Sequence, residues 1–89
     1  MTPAQKIQNK ISEHCKKNGW YVNKIISASR AGFPDLVIVL PGRVLFVEVK
    51  ADNDRQSVIQ KYTEEKINQF GNFYFIVKSF QDFLNLVEG

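Results

Sequence analysis

Cysteine and histidine each occur once in this chain of 89 residues, as Cys15 and His14. A lone cysteine excludes an intrachain disulfide and any cysteine-rich zinc site. A lone histidine excludes a histidine-rich metal centre, and a Ser-His-Asp apparatus would have to be built on His14. Long hydrophobic runs are missing too. The longest, Leu36 to Pro41, falls far short of the ~20 residues that a membrane-spanning helix needs. No signal-peptide pattern is present. These absences lead us to expect a domain with no membrane segment, in a reducing, intracellular setting.

Acids are scarce at the start of the chain. Residues 1–32 hold Lys6, Lys10, Lys16, Lys17, Lys24 and Arg30 against Glu13 alone, whereas residues 33–89 hold eight acidic and six basic residues. A basic N-terminal third suits a polyanion such as nucleic acid. It equally fits a solvated, lysine-rich helix face, and charge by itself favours that plainer reading. Length and composition fit one domain over residues 1–89.

What is present is concentrated in residues 33–50, FPDLVIVLPGRVLFVEVK. Two apolar runs flank Leu40-Pro41-Gly42-Arg43, a turn signal. A hairpin centred on Pro41-Gly42 pairs residue 40 with 43, 39 with 44, and 35 with 48. Asp35 then lies opposite Glu48 on one face, with Cβ atoms roughly 4.5–5.5 Å apart. Lys50, two residues beyond Glu48, shares that face. Opposed like charges destabilise a sheet unless something positive lies between them. A divalent cation such as magnesium, which binds carboxylate oxygens at about 2.0–2.1 Å, meets that need. The backbone carbonyl of Val49 would add a third ligand if the strand edge opens there. Lys50 would orient a nucleophilic water or offset developing negative charge. Such a set suits metal-assisted phosphodiester hydrolysis. The competing reading, an ion pair of Lys50 with Asp35 or Glu48 at a sheet end, is the less favoured of the two.

The surrounding pattern reads as α-β-β-β-α-β-α. Thr2-Pro3-Ala4-Gln5 starts a helix with a capping box, and Ala4, Ile7, Ile11 and Cys15 form its apolar stripe up to Gly19. Glu13 lies roughly 160° round the helix from that stripe and reads as a solvent-exposed partner of Lys6, Lys10 and Lys17. His14 reads as a helix-face residue. Trp20 to Ile26 is the first strand, and residues 27–33 form a polar loop. The near-continuous apolar strands Leu36–Leu40 and Val44–Val49 predict a sheet covered on both faces. Gln56 to Phe70 is a second helix with Ile59, Thr63, Ile67 and Phe70 on one stripe and Gly71 just past its end. Phe73 to Lys78 is a fourth strand, and Ser79 caps a helix from Phe80 to Val87. The aromatics Trp20, Tyr21, Phe73, Tyr74 and Phe75 read as core and interface residues, because they lie on strand patterns.

Pro34-Asp35, a spacer and Glu48-Val49-Lys50 together resemble the PD-(D/E)xK nuclease signature. Ser29 to Asp35, with its arginine and glycine, is similar to the lead-in of VRR-NUC domains. So is the second half, with Gln60-Lys61, Gly71, an aromatic strand and Lys78-Ser79. The resemblance runs from about Ile7 to Leu86 and implies a restriction-endonuclease-like α/β core, a mixed four-stranded sheet flanked by helices. It implies a Mg²⁺- or Mn²⁺-dependent DNA endonuclease with no small-molecule cofactor. In it Asp35 and Glu48 are metal ligands, Lys50 is the catalytic lysine, and Gln60 reaches the same site from its helix. Stand-alone domains of this size, common in phages, resemble Holliday junction resolvases, homodimers that cut branched DNA. The small recognition surface of one copy argues likewise for two symmetric sites, in the cytoplasm of a bacterial or phage-infected cell. Lys24, Arg30, Arg55 and Lys61 flank the site in sequence and are candidate phosphate contacts, with ordinary surface charge as the equal competitor. The family usually completes its metal site with a glutamate on the first helix. Near that position this chain has Ala4, with Gln5 beside it, so Gln5 or water would take the place of that carboxylate. The departure keeps open a second reading, a non-cleaving DNA-binding or assembly module on the nuclease fold. A restriction-type nuclease with sequence specificity fits less well, because the chain has no recognition domain.

Overall fold

The structure, a computed structural model, describes residues 1–88. Its elements are α1 (Pro3–Lys17), β1 (Tyr21–Lys24), β2 (Leu36–Leu40), β3 (Arg43–Val49), α2 (Val58–Gln69), β4 (Phe73–Val77) and α3 (Phe80–Glu88). The strands form one sheet in the order β1-β2-β3-β4. β1–β2 and β2–β3 are antiparallel; β3–β4, joined across α2, is parallel. This is the predicted mixed sheet in the predicted order.

Local signals set most of the boundaries. Thr2 and Gln5 close the capping box of α1, and Ser57 and Gln60 close an equivalent one on α2. Beyond α2, Gly71 takes φ +80°, while Gly71 N–H donates to the Asn68 carbonyl and Asn72 N–H to that of Ile67. That pair of bonds is a Schellman ending, which needs the left-handed residue that glycine supplies. Ser79 Oγ accepts from Asp82 N–H at 3.0 Å and caps α3. β1 is shorter than its apolar alternation suggests. It ends at Lys24, although Ile25 N–H still donates to the Asp35 carbonyl at 2.8 Å.

One face of the sheet holds the core. Leu36, Ile38 and Leu40 of β2, Leu45, Val47 and Val49 of β3, and Val77 of β4 are buried there with Ile11 and Cys15 of α1 and Phe83 of α3. Full burial of each large apolar side chain stabilises the fold by about 1.5–3 kcal/mol. His14 packs edge-on against Trp20, Phe80 and Phe83, with centroids 5.7–6.1 Å apart, so it is part of the α1–α3 contact. Glu13 is exposed, and its expected lysine pairs do not form: among the described residues the ion pair present is Lys50–Glu48. Solvent competition at an exposed helix surface accounts for that.

The opposite face departs from expectation. Cα partners across the ladders share a face, so Tyr21, Val39 and Val44 stand together there. They are 68%, 41% and 36% exposed, so the sheet is not covered on both faces. α2 lies on this side but buries none of its residues; Ile59 and Phe70 are exposed, and only Thr63 and Ile67 of the anticipated stripe are half-buried. A continuous apolar strand marks both faces as apolar without stating what covers them.

Core truncation separates the two faces. Ile38→Ala is expected to cost about 2–5 kcal/mol of unfolding free energy, and Phe70→Ala on α2 less than about 1 kcal/mol. Urea denaturation of both variants measures the contrast.

Candidate active site

The hairpin register is the predicted one, with Leu40 opposite Arg43 through to Leu36 opposite Val47. Asp35 is the next residue beyond that ladder. Instead of continuing the backbone pairing, its side chain turns to the neighbouring strand, and Oδ2 accepts from Val49 N–H at 2.8 Å. Lys50 N–H donates to the Val77 carbonyl at 3.0 Å. Backbone groups of successive strand residues point to opposite edges, so the N–H and C=O of Val49 face the Asp35 side, where β2 has not yet begun. The carbonyl named from sequence as a third ligand is therefore on the same edge as both carboxyls.

Glu48 follows Val44 and Phe46 on the outer face, yet it is only 2% exposed. Its Oε2 accepts from Gln60 Nε2 at 3.2 Å and lies 3.6 Å from Lys50 Nζ. Gln60 does two jobs at once. Its Oε1 accepts from Ser57 N–H at 2.8 Å to close the α2 capping box, while its amide nitrogen reaches Glu48. Gln60, given from sequence only as a residue reaching the site, thus touches Glu48 directly. Burial raises the Glu48 carboxyl to about 8, helped by the neighbouring charge and hydrogen bonding of Asp35; the Lys50 ammonium opposes the rise. Glu48 is therefore more readily protonated than charged beside Asp35 when no cation lies between them.

The loop carrying Asp35 is fastened to the same face. Pro34 is fully buried, and Phe33 packs edge-on against Phe46 with centroids 6.2 Å apart. Gly32, at φ +84°, presses against Ile59 of α2 so closely that a Cβ there would overlap the Ile59 side chain. Loop, strand and helix thus converge on Glu48 from three directions.

A divalent cation fits what these residues offer. Glu48 Oε1 is buried without a hydrogen-bond partner, beside a second carboxyl and a backbone carbonyl. Asp35, Glu48 and the Val49 carbonyl would hold the ion. Among the described residues no group of three or more His, Cys, Asp or Glu side chains gathers to hold a metal. Ala4 lines an open cleft of about 500 Å³ with Ala51, Asp52 and Asn53, the residues that follow Lys50 in the chain. Its contribution there is a methyl group. Gln5 is exposed, its Oε1 taken by Thr2 N–H at 2.8 Å, so the capping box and not the site engages it.

Lys24, Arg30, Arg55 and Lys61 are all exposed, and none makes an ion pair among the described residues. Four polar residues escaped sequence reading. Gln56 donates to Glu64 Oε1 at 3.2 Å, and Tyr74 is 4% exposed with its hydroxyl unpartnered. Burial pushes the Tyr74 phenol up to about 12; Gln56 counteracts this, and the charges of Glu48, Glu64 and Asp35 add to it. The spacing of Gln56, Gln60 and Glu64, one helical turn apart, was the available signal. Gln8 is buried on α1 with an unpartnered Oε1, a polar residue set between Ala4 and Ile11 of the apolar stripe.

The raised Glu48 carboxyl has a consequence for stability. Between about pH 4.5 and 8 the folded chain retains a proton that the unfolded chain has lost. The contribution is fully present below pH 4.5 and is lost as pH rises through about 8. Without divalent cation, unfolding free energy should fall across this window more steeply for the wild type than for Glu48→Gln. Denaturant melts from pH 4 to 9 compare the slopes.

Solved proteins share this fold. The sequence pattern of the VRR-NUC domain matches residues 3–81. A solved VRR-NUC domain shares 32% identity at a TM-score of 0.88, over 99% of this chain and 97% of its own. A second VRR-NUC domain protein is 19% identical at a TM-score of 0.82, over 98% and 86%. A Holliday junction resolvase from the archaeal hyperthermophile Archaeoglobus fulgidus is 17% identical at a TM-score of 0.61, over 84% and 67%, a likeness of fold. No curated protein matches. Among the described residues no helix is long and apolar enough to cross a membrane. Fold and family together support nuclease activity in general, with a core like that of restriction endonucleases. The chain belongs to the VRR-NUC domain family.

Proposed function

We propose that this protein is a Mg²⁺- or Mn²⁺-dependent endonuclease that hydrolyses phosphodiester bonds in branched DNA such as Holliday junctions, as a homodimer inside a bacterial or phage-infected cell. The observation that carries the reading is the buried Glu48 carboxyl with an unpartnered Oε1, next to Asp35 and within 3.6 Å of Lys50. A bound cation would neutralise charge on the scissile phosphate and lower the pKa of the attacking water. Asp35 and Glu48, with the Val49 carbonyl, would hold it. Gln60 keeps Glu48 oriented from α2. The Lys50 side chain, 15% exposed, sets its ammonium beside Glu48, where it would orient the nucleophile and offset developing negative charge. Lys24, Arg30, Arg55 and Lys61 supply exposed positive charge for the phosphates on either side.

Branched DNA is favoured over a linear site because the described elements all belong to the core and leave little surface for reading a sequence. It is also supported by the fold likeness to a resolvase. A four-way junction has two-fold symmetry, which a dimer with two equivalent sites matches. The uncovered apolar patch of Tyr21, Val39 and Val44 is our candidate for the surface that a second copy covers. A non-cleaving DNA-binding module remains the second reading, favoured by one observation: the first turn of α1 carries no acidic residue.

Incubation with a labelled four-way junction, a matched linear duplex and a single strand, in Mg²⁺, Mn²⁺ or EDTA, tests the reading. We expect metal-dependent nicking of the junction, reduced at least about 10³-fold by Asp35→Ala or Glu48→Ala, as befits loss of transition-state charge stabilisation. Binding without cleavage under every metal condition would instead establish the second reading. Assembly is checked separately by sedimentation. Val39→Glu should convert a wild-type dimer to monomer, and a monomeric wild type at micromolar concentration sinks the dimer proposal.

A further inference from the structure

Among the described residues, three buried side-chain polar atoms lack a hydrogen-bond partner: Gln8 Oε1, Glu48 Oε1 and the Tyr74 hydroxyl. Such groups are uncommon, and each is destabilising unless something compensates. Two of the three are acceptors. Only Tyr74 can donate. Gln8 belongs to α1, whose buried residues Ile11 and Cys15 pack on the core face of the sheet. Tyr74 and Glu48 share the other face. Phe46 pairs with Tyr74 and Glu48 with Ile76, so Tyr74 is the diagonal neighbour of Glu48 across the β3–β4 ladder. Diagonal neighbours stand ~7–8 Å apart, within reach of a long aromatic side chain. The charge of Glu48 is felt at the Tyr74 phenol, which places the two groups in one electrostatic environment.

Two other acceptors of the site are already supplied. Asp35 Oδ2 has the Val49 N–H, and Glu48 Oε2 has Gln60 and Lys50. With both carboxyls ionised, as a cation requires, Glu48 Oε1 is left without a donor, and Tyr74, among the described residues the unpartnered buried side chain that can donate, is on its own face. We infer that the Tyr74 hydroxyl is a positioning group for Glu48, donating to Oε1 directly or through one water and holding the carboxylate in the orientation that binds metal. A carboxylate oxygen has two lone-pair directions, so the hydroxyl and a cation do not compete for it. Hydrogen bonds to metal-ligating carboxylates fix their orientation, and losing one costs 10- to 100-fold in metal affinity or activity, on the order of the effects seen at other metal sites. Gln56, tied to Glu64 at 3.2 Å, lies beside the phenol.

This inference rests on the metal-dependent reading above, and one set of titrations separates the two. Mn²⁺ binding is measured by calorimetry for the wild type, Glu48→Gln, Tyr74→Phe and, as a surface control, Tyr62→Phe, with metal-free melting temperatures alongside. Binding by the wild type that Glu48→Gln abolishes supports the metal site itself. Tyr74→Phe should then weaken Mn²⁺ binding about 10- to 100-fold, while its metal-free melting temperature stays level or rises, because a buried hydroxyl without a partner has been removed. Tyr62→Phe should match the wild type. Unchanged Mn²⁺ affinity in Tyr74→Phe overturns the inference and leaves the metal site standing. Weakened binding together with a large fall in the metal-free melting temperature also overturns it, marking the phenol as a packing group. A wild type that binds no Mn²⁺ defeats the metal reading and this inference with it.

Discussion

Taking the Glu48 carboxyl out of water costs free energy that its surroundings have to offset. That one constraint organises the outer face of the sheet. The amide of Gln60 comes from the first turn of α2, the ammonium of Lys50 from the end of β3, and the second carboxyl from the loop before β2. None of these contacts would be needed if position 48 carried a valine, which the apolar pattern of β3 would accept. A chain that retains a buried acid at the end of a hydrophobic strand departs from local consistency, and such departures concentrate at functional sites.

The surroundings offset the cost only in part. Lys50 lowers the Glu48 carboxyl, but burial and Asp35 outweigh it. A further positive charge between the two acids would reverse the balance, and this is the electrostatic sense in which the site suits a divalent cation. Lys24, Arg30, Arg55 and Lys61 are exposed and free of ion pairs among the described residues, so a polyanion would meet them without desolvation. Buried acids inside and solvated bases outside make a division of labour that suits a phosphodiester substrate.

Much of this was legible in the sequence, for identifiable reasons. The hairpin register follows from a two-residue turn and period-2 alternation, so Asp35 could be set beside Glu48 by counting. Capping boxes and glycine endings are local, and those at Thr2, Ser79 and Gly71 appear in the structure as the residues suggest. What was not legible is longer in range. The stripe on α2 indicated an apolar helix face, but how deeply that face sinks depends on the whole packing, and here it buries none of its residues. Apolar strands cannot tell a sheet wrapped by helices from one with a bare patch. Tyr74 was read as an aromatic of a strand, and only the parallel pairing with β3 sets its hydroxyl on the face of Glu48. Gln8 was hidden because the apolar residues around it formed a stripe without it.

The double duty of Gln60 narrows what the chain can tolerate at one position. Its carbonyl oxygen closes the α2 capping box and its nitrogen holds Glu48, through opposite ends of one amide. Helix starts in general accept glutamate or glutamine at this place, because either supplies the oxygen that the cap requires. Here a glutamate would satisfy the helix and bring a third carboxyl against two that already repel. Two letters are grammatical for the helix, and the neighbouring acid strikes out one of them.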